Sequence, residues 1–306
     1  MRKLLRRGLV LGALAVVVLN WTYGRLPSEP KAAGSFVQIG KLHIHYIERP
    51  GSGTPVVLIH GLPGTAEDFN AVTPLLAAHR TIAIDRPGFG YSSGGYVPFD
   101  QQLSTLQALM QRLGIVRPIL VGHSYGGTIA LAFAARHPSE VRGLVLVDAA
   151  AGGTKLGGFD VAQAHLVQIL QLPVIRQVAN ATFAQLLDTV SVNQGDAKAF
   201  DPLPVADAHR HRLLAINMTH GNLEAFSGEQ LAANGVLATL DKTLRSIATP
   251  SIVIEGSGDQ LVKPVYARNI ARELPNAHLE MLGGGHMQPY AHPAAIAAAV
   301  ERLAGG

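Results

Sequence analysis

The chain has 306 residues, 48% of them apolar and only 15% charged, with a formal net charge of +4 and no cysteine. That length and apolar content fit one large α/β domain or two smaller ones around a sizeable core, and the scarcity of charge argues against extensive disorder. Without cysteine, disulfides, thiolate nucleophiles and cysteine-ligated metal are excluded; once Arg2, Lys3, Arg6 and Arg7 are set aside, the remaining basic excess gives no support to nucleic-acid binding.

The first segment stands apart. Met1 to Arg7 is basic, Gly8 to Leu19 is continuously apolar, and Asn20-Trp21-Thr22-Tyr23 follow. This is the pattern of a signal peptide or a signal anchor. The apolar run is short against the roughly twenty helical residues a bilayer core demands, although Trp21 and Tyr23 are placed to extend it as interfacial anchors. The nearest small-residue stretch, Ala32-Ala33-Gly34, lies well past the run, so an uncleaved membrane anchor is favoured over a cleaved signal or a buried extension. Basic residues ahead of the span predict an extracytoplasmic main domain; cleavage would instead give a secreted or periplasmic protein. Arg6-Arg7 lacks the surroundings of a twin-arginine signal. Leu26 to Ala33, with two prolines and charges, reads as a linker, and residues 1–34 form this first unit.

Phe36 to Ile39 and Leu42 to Ile47 alternate apolar and polar residues around Gly40-Lys41, as a strand pair does. Val56 to Ile59 is a short, wholly apolar run and Thr81 to Ile84 is apolar after its threonine, both of the kind found in buried strands. Leu103 to Leu113 has helical spacing. Ile119 to Val121 is a strand that feeds Gly122-His123-Ser124-Tyr125-Gly126, and Thr128 to Arg136 is an Ala-rich helix. Val141 to Val147, Ile252 to Ile254 and Ala277 to Leu282 supply the last three strands. Strands alternating with helices predict a mostly parallel eight-stranded sheet with helices on both faces. Ligands of such sheets bind outside the carboxyl ends of the strands.

Residues 152–246 break the alternation. Helical patterns occur there at Val161–Leu170, Val174–Leu187, Ala206–Met218 and Leu223–Ala233, punctuated by Pro173, Pro202 and Pro204. Between two strands, an insertion of this kind reads as a helical cap, which leaves 35–151 and 247–306 as the core.

A serine between glycines, where a strand passes into a helix, reads as a nucleophile elbow. The sharp turn presents the serine oxygen, and the glycines avoid the Cβ clashes that the turn would otherwise cause. Ser124 needs a base. His286, in Gly283-Gly284-Gly285-His286 after the last strand, has the most suitable setting of the thirteen histidines. The imidazole in turn needs a carboxylate to hold its tautomer; Asp259, just past the penultimate strand, gives the chain order Ser, Asp, His expected of this arrangement. Asp148 also ends a strand and is the rival acid, with a turn or helix cap as its plain reading. Glu255 reads as a strand-end residue oriented by its neighbours. An oxyanion requires fixed donors. The N–H of Tyr125, next to the nucleophile, is one. The other comes from the loop His60-Gly61-Leu62-Pro63-Gly64, where Pro63 has no N–H and Leu62 is the donor of choice. His60 reads as a residue that orients this loop.

These stretches, together with Asp85-Arg86-Pro87-Gly88-Phe89-Gly90-Tyr91-Ser92, Gly258-Asp259 and Gly285-His286, resemble the α/β-hydrolase fold superfamily, in particular its cap-bearing serine hydrolases. The resemblance spans roughly Phe36 to Leu303. It implies Ser124 as nucleophile, Asp259 as acid, His286 as base, Leu62 and Tyr125 as the oxyanion hole, and structural roles for Asp85 and Arg86 in tying loops together. One departure is Tyr290-Ala291-His292-Pro293, where many relatives place a glutamate at the position of Ala291. Haloalkane dehalogenases and epoxide hydrolases of this fold use aspartate as nucleophile. Serine would give an ether with no carbonyl for water to attack, so Ser124 points to acyl transfer.

The leading expectation is a carboxylic ester hydrolase acting on a small hydrophobic ester or acyl substrate, with the cap's leucines, Phe183 and Phe226 lining the site or forming the cap's own core. Carbon–carbon bond hydrolysis of ring-cleavage diketones and cofactor-free haloperoxidase or perhydrolase chemistry use the same residue types. A ligand receptor on the same fold is the non-enzymatic alternative. No cofactor or metal is expected. His209 and His211 do not share a helical face, and His43 with His45 lacks further ligands.

Overall fold

Gly40 has φ +59°, a left-handed conformation that costs glycine no Cβ clash, and the turn it makes pairs Ser35–Ile39 (β1) antiparallel with Leu42–Arg49 (β2). This is a computed structural model describing residues 30–170, 172, 197–204, 212, 216 and 222–305, with residues 8, 10–15 and 17–18 near the start of the chain.

Six further strands complete one sheet: Gly53–Ile59 (β3), His79–Ile84 (β4), Ile119–His123 (β5), Gly143–Val147 (β6), Ser251–Gly256 (β7) and Ala277–Leu282 (β8). The order is β1-β2-β4-β3-β5-β6-β7-β8. β2 joins β4 antiparallel, and every pairing from β4 to β8 is parallel. The inner strands are apolar without alternation because both of their faces are covered; Val56 to Ile59 and Leu144 to Val147 are completely buried.

Phe99–Arg112 (α1), Tyr125–Arg136 (α2) and Pro264–Glu273 (α5) cover one face, and Pro293–Gly305 (α6) covers the other. The two resulting cores are built around Leu103, Leu109, Ile129, Phe133 and Ile270 on one side, and around Phe69, Leu76, Ile296 and Val300 on the other. Burying each such side chain contributes about 1.5–3 kcal/mol.

The insertion contains Gly158–Leu170 (α3) and Asn222–Asp241 (α4), which pack on each other. These are the first and last of the four predicted helices, and α4 runs on past Ala233 because Leu237 and Leu240 continue its buried side. The patterns Val174–Leu187 and Ala206–Met218 lie outside the described residues apart from positions 212 and 216, and so do Phe183, His209 and His211. The end of α4 is tied to the start of the insertion, where Asp241 accepts the backbone N–H groups of Gly152 (2.7 Å) and Gly153 (2.9 Å).

Near the start of the chain, helical residues 10–15 and 17–18 expose Val10, Leu11 and Leu14. No helix among the described residues is long and apolar enough to cross a membrane. Trp21 and Tyr23 lie outside them.

Candidate active site

β5 ends at His123, and Ser124 adopts φ +53° and ψ −120° before α2 begins at Tyr125. A side-chain-bearing residue at positive φ is strained and persists only where its surroundings over-determine it. Three backbone hydrogen bonds do so. The Ser124 N–H donates to Val147 O (2.9 Å), and its carbonyl accepts from Gly127 N (2.9 Å) and Ala150 N (3.1 Å). The motif glycines answer to crowding. A Cβ on Gly122 would lie 2.5 Å from Gly126 O, and one on Gly126 would lie 2.0 Å from Ile59 O. The chain therefore turns hard against β3 and leaves Ser124 partly exposed within a buried stretch.

Asp259 and His286 come from the loops after β7 and β8, neighbouring strands in the sheet. His286 Nδ1 lies 2.6 Å from Asp259 Oδ2, and both residues are buried. Asp259 Oδ1 accepts from Leu261 N (2.7 Å) and Val262 N (3.0 Å), which fixes the carboxylate plane. The elbow and the histidine loop are joined next to Ser124, where His123 Nε2–H donates to the His286 carbonyl at 2.9 Å. Burial, then the neighbouring His286, hold the His123 imidazole down to about 3, so it stays neutral.

The rival acid, Asp148, does not meet His286 Nδ1. It accepts from Gly256 N (2.9 Å) and Gln288 N (3.3 Å), bracing the two loops that hold Asp259 and His286. Asp148, Glu255 and Asp259 place carboxylate oxygens within 4.8 Å of one another. Burial, then the charges of Glu255 and Asp259, push Asp148 well above the usual carboxylate range. Glu255 is pushed up to about 9 by burial and by Asp259, and neither of its oxygens has a hydrogen-bond partner among the described residues. A carboxyl that remains protonated at neutral pH is a poor cation ligand.

In the loop after β3, His60 Nε2 accepts the Arg86 backbone N–H (2.9 Å), so Nδ1 bears the hydrogen and donates to Gly61 O (2.9 Å). Burial, then the charge of Arg86, keep this imidazole well below its usual range. His60 thus orients the loop, as read from the sequence. Gly61 packs directly on the nucleophile candidate, since a Cβ there would lie 3.0 Å from Ser124 Cβ. The N–H of Tyr125 is the first of α2 and has no acceptor within its own helix. Asp85 ties the loops together by accepting from Ala66 N (2.6 Å), Tyr91 N (2.8 Å) and His45 Nδ1 (2.7 Å). Burial pulls the His45 imidazole down, but the hydrogen bond and charge of Asp85 win and hold it up. His43, two residues away, is exposed.

Sequence reasoning missed three features. Asp148 acts as a brace. Gln288 donates to Gly283 O (3.0 Å) and Gly285 O (2.9 Å), shaping the histidine loop. Glu229 of α4, only 2% exposed, forms an ion pair with Arg86 at 2.7 Å. A signal for the last existed: Ala225, Glu229, Ala233 and Leu237 form one i, i+4 row, and a carboxylate in an otherwise apolar row requires a buried partner.

A family model described as alpha/beta hydrolase fold matches residues 54–293. A 2-hydroxymuconate semialdehyde hydrolase of Pseudomonas sp. (strain CF600) is 29% identical over 269 residues, covering 82% of this chain and 86% of the relative. Lipase 1 of Psychrobacter immobilis is 27% identical over 240 residues, covering 76% of this chain and 70% of the relative. Among solved structures, a bromoperoxidase from Bacillus anthracis superposes with a TM-score of 0.74 at 20% identity, covering 90% of this chain and all of that one.

Proposed function

The chain belongs to the α/β-hydrolase fold family, and we propose that it is a serine hydrolase cleaving carboxylic esters through an acyl-enzyme intermediate, with Ser124, His286 and Asp259 as its triad. The 2.6 Å contact of His286 Nδ1 with Asp259 is the observation that supports this most directly. A carboxylate only accepts, so Nδ1 bears the hydrogen and the lone pair of Nε2 is left to act as base.

In this reading Ser124 Oγ adds to the ester carbonyl and its proton passes to Nε2. Asp259 stabilises the imidazolium while the N–H groups of Leu62 and Tyr125 hold the oxyanion. Collapse of the intermediate breaks the carbon–oxygen bond, and the leaving alcohol takes the proton from Nε2. Water, deprotonated by the same nitrogen, then adds to the acyl-enzyme and releases the acid. The core is residues 35–151 and 247–306, and 152–246 is the cap. Leu166, Ile169, Leu172 and Leu203 expose apolar surface on the insertion, in keeping with a small hydrophobic ester or acyl substrate. The basic start, the apolar run and the exposed Val10, Leu11 and Leu14 support attachment to a membrane through the N-terminal segment, with the catalytic domain extracytoplasmic.

Ser124→Ala is expected to fold as the wild type does and to lose at least about 10⁴-fold in kcat on short p-nitrophenyl esters. Wild-type turnover by the variant refutes the assignment. The second reading, carbon–carbon bond hydrolysis of a vinylogous diketone, takes its support from the named activity of the Pseudomonas relative. Turnover of such a diketone without turnover of simple esters decides for it.

A further inference from the structure

Arg86, two residues past the end of β4, is 1% exposed and divides its guanidinium among Glu229, Gln102 and Gly61. Nη1 donates to Glu229 Oε1 (2.7 Å) and Oε2 (2.9 Å), with Gln102 Oε1 at 3.1 Å. Nη2 donates to the Gly61 carbonyl at 2.7 Å. The guanidinium carbon stands 4.5 Å from the ring centroid of Phe89 and 5.3 Å from that of Tyr125. Gln102 completes the cluster by donating to Glu229 Oε1 (2.7 Å) and Val97 O (2.9 Å).

The Gly61 carbonyl and the Leu62 N–H belong to one peptide unit. That unit is planar and trans, so its C=O and N–H point in opposite directions. Two donors, Arg86 Nη2 and His60 Nδ1, hold the carbonyl oxygen. The Leu62 N–H is thereby turned the other way, while Gly61 itself packs on Ser124.

We propose that Arg86 is a positioning residue of the oxyanion hole: its guanidinium fixes the Gly61–Leu62 amide plane, and Glu229 on α4 anchors that guanidinium, tying the donor's aim to the helix that closes the insertion. The proposal rests on the serine-hydrolase reading and specifies how one of its donors is aimed. Stability alone gives little reason for the pair, since well-packed apolar residues commonly replace a buried ion pair at no loss. Orientation does give a reason: an ammonium carries its three donors on one atom, whereas the planar fork reaches Gly61 and Glu229 from two nitrogens held at a fixed separation. The positive charge behind the carbonyl also draws electron density from the amide and strengthens its N–H as a donor.

The test is the paired variant Arg86→Met/Glu229→Met, which leaves no buried charge unmatched. On a p-nitrophenyl ester, kcat is expected to fall by about 30-fold or more while KM stays within about threefold, because the lost interaction forms only in the transition state. The inhibition constant of phenylboronic acid, which forms a tetrahedral anion on the serine, is expected to rise by the same factor. Wild-type kcat and boronate affinity in the paired variant overturn the proposal, as does an equal loss of substrate and boronate binding. Should the paired variant not fold, Arg86→Lys keeps the counter-charge for Glu229, and wild-type kcat in that variant equally overturns it. Failure of the underlying reading looks different: wild-type protein that phenylboronic acid does not inhibit and a Ser124→Ala variant that still turns over.

Discussion

Glu255 is fully buried at the end of β7, with two oxygens unpartnered among the described residues and the carboxylates of Asp148 and Asp259 beside it. Burial, then the charge of Asp259, disfavour the ionised carboxylate there and raise its pKa from 4.5 to about 9. The sign of the consequence follows. Between those two values the folded chain holds a proton on Glu255 that the unfolded chain has released, so the contribution of this group to stability is full below about 4.5 and declines as pH rises towards 9. Glu255→Gln, neutral at every pH, is expected to be more stable than wild type by about 1–3 kcal/mol at pH 8. Denaturant unfolding across pH checks this, the two proteins converging towards pH 4.5; equal midpoints at both ends would count against a protonated Glu255. The neutral imidazoles of His60 and His123 follow the same rule with opposite sign, because burial penalises their cations. At this scale the sequence indicated candidate catalytic residues but not which residues are buried. Ser124, Asp259 and His286 each follow a legible strand end, whereas the bracing role of Asp148 depends on two loops distant in the chain.

The elements show how the insertion reaches the site. Gly285 precedes the candidate base, and a Cβ on it would lie 2.1 Å from the backbone oxygen of Asp201. The Ala199 carbonyl accepts Met287 N at 3.1 Å, and the Phe200 and Tyr290 rings stand 5.2 Å apart. The histidine loop thus rests directly on residues 199–201 of the insertion, and a side chain at 285 forces one to move. Gly285→Ala is expected to lower kcat by about tenfold or more through displacement of the imidazole from its productive geometry, with a change in stability of about 1–3 kcal/mol. Steady-state kinetics alongside thermal unfolding separate the two effects, and a variant with unchanged kcat would mean that this contact does not hold the base. Helix positions followed from apolar spacing, as in α3 and α4. What spacing withheld was the surface each helix faces: the row containing Glu229 marks a buried face, yet only assembly brings Arg86 beneath it.

Across the whole molecule, the parallel strands β3 to β8 set all their carboxyl ends on one edge, and there the loops after β3, β4, β5, β6, β7 and β8 converge. Near the start of the chain the described residues Val10, Leu11 and Leu14 are exposed, and none of the candidate site residues comes from that segment. Removal of residues 1–29 is therefore expected to leave kcat on a soluble ester within about twofold, since surface changes remote from a site have small effects, and to shift the protein from the membrane fraction to the soluble one. Fractionation with protease accessibility measures this, and a truncated chain that stays with the membrane refutes the anchor. The sequence by itself determined the strand order along the chain, the strained serine turn and the three residue types after three strand ends. These are local properties: runs of apolar residues, turn chemistry and spacing are written in neighbouring positions. The tertiary structure alone decided that Asp259 rather than Asp148 meets His286, that Glu255 is buried without a partner among the described residues, and that Arg86 joins Gly61 to Glu229. Those outcomes depend on burial and on contacts between residues 25, 27 and 143 positions apart, and no local pattern names such partners.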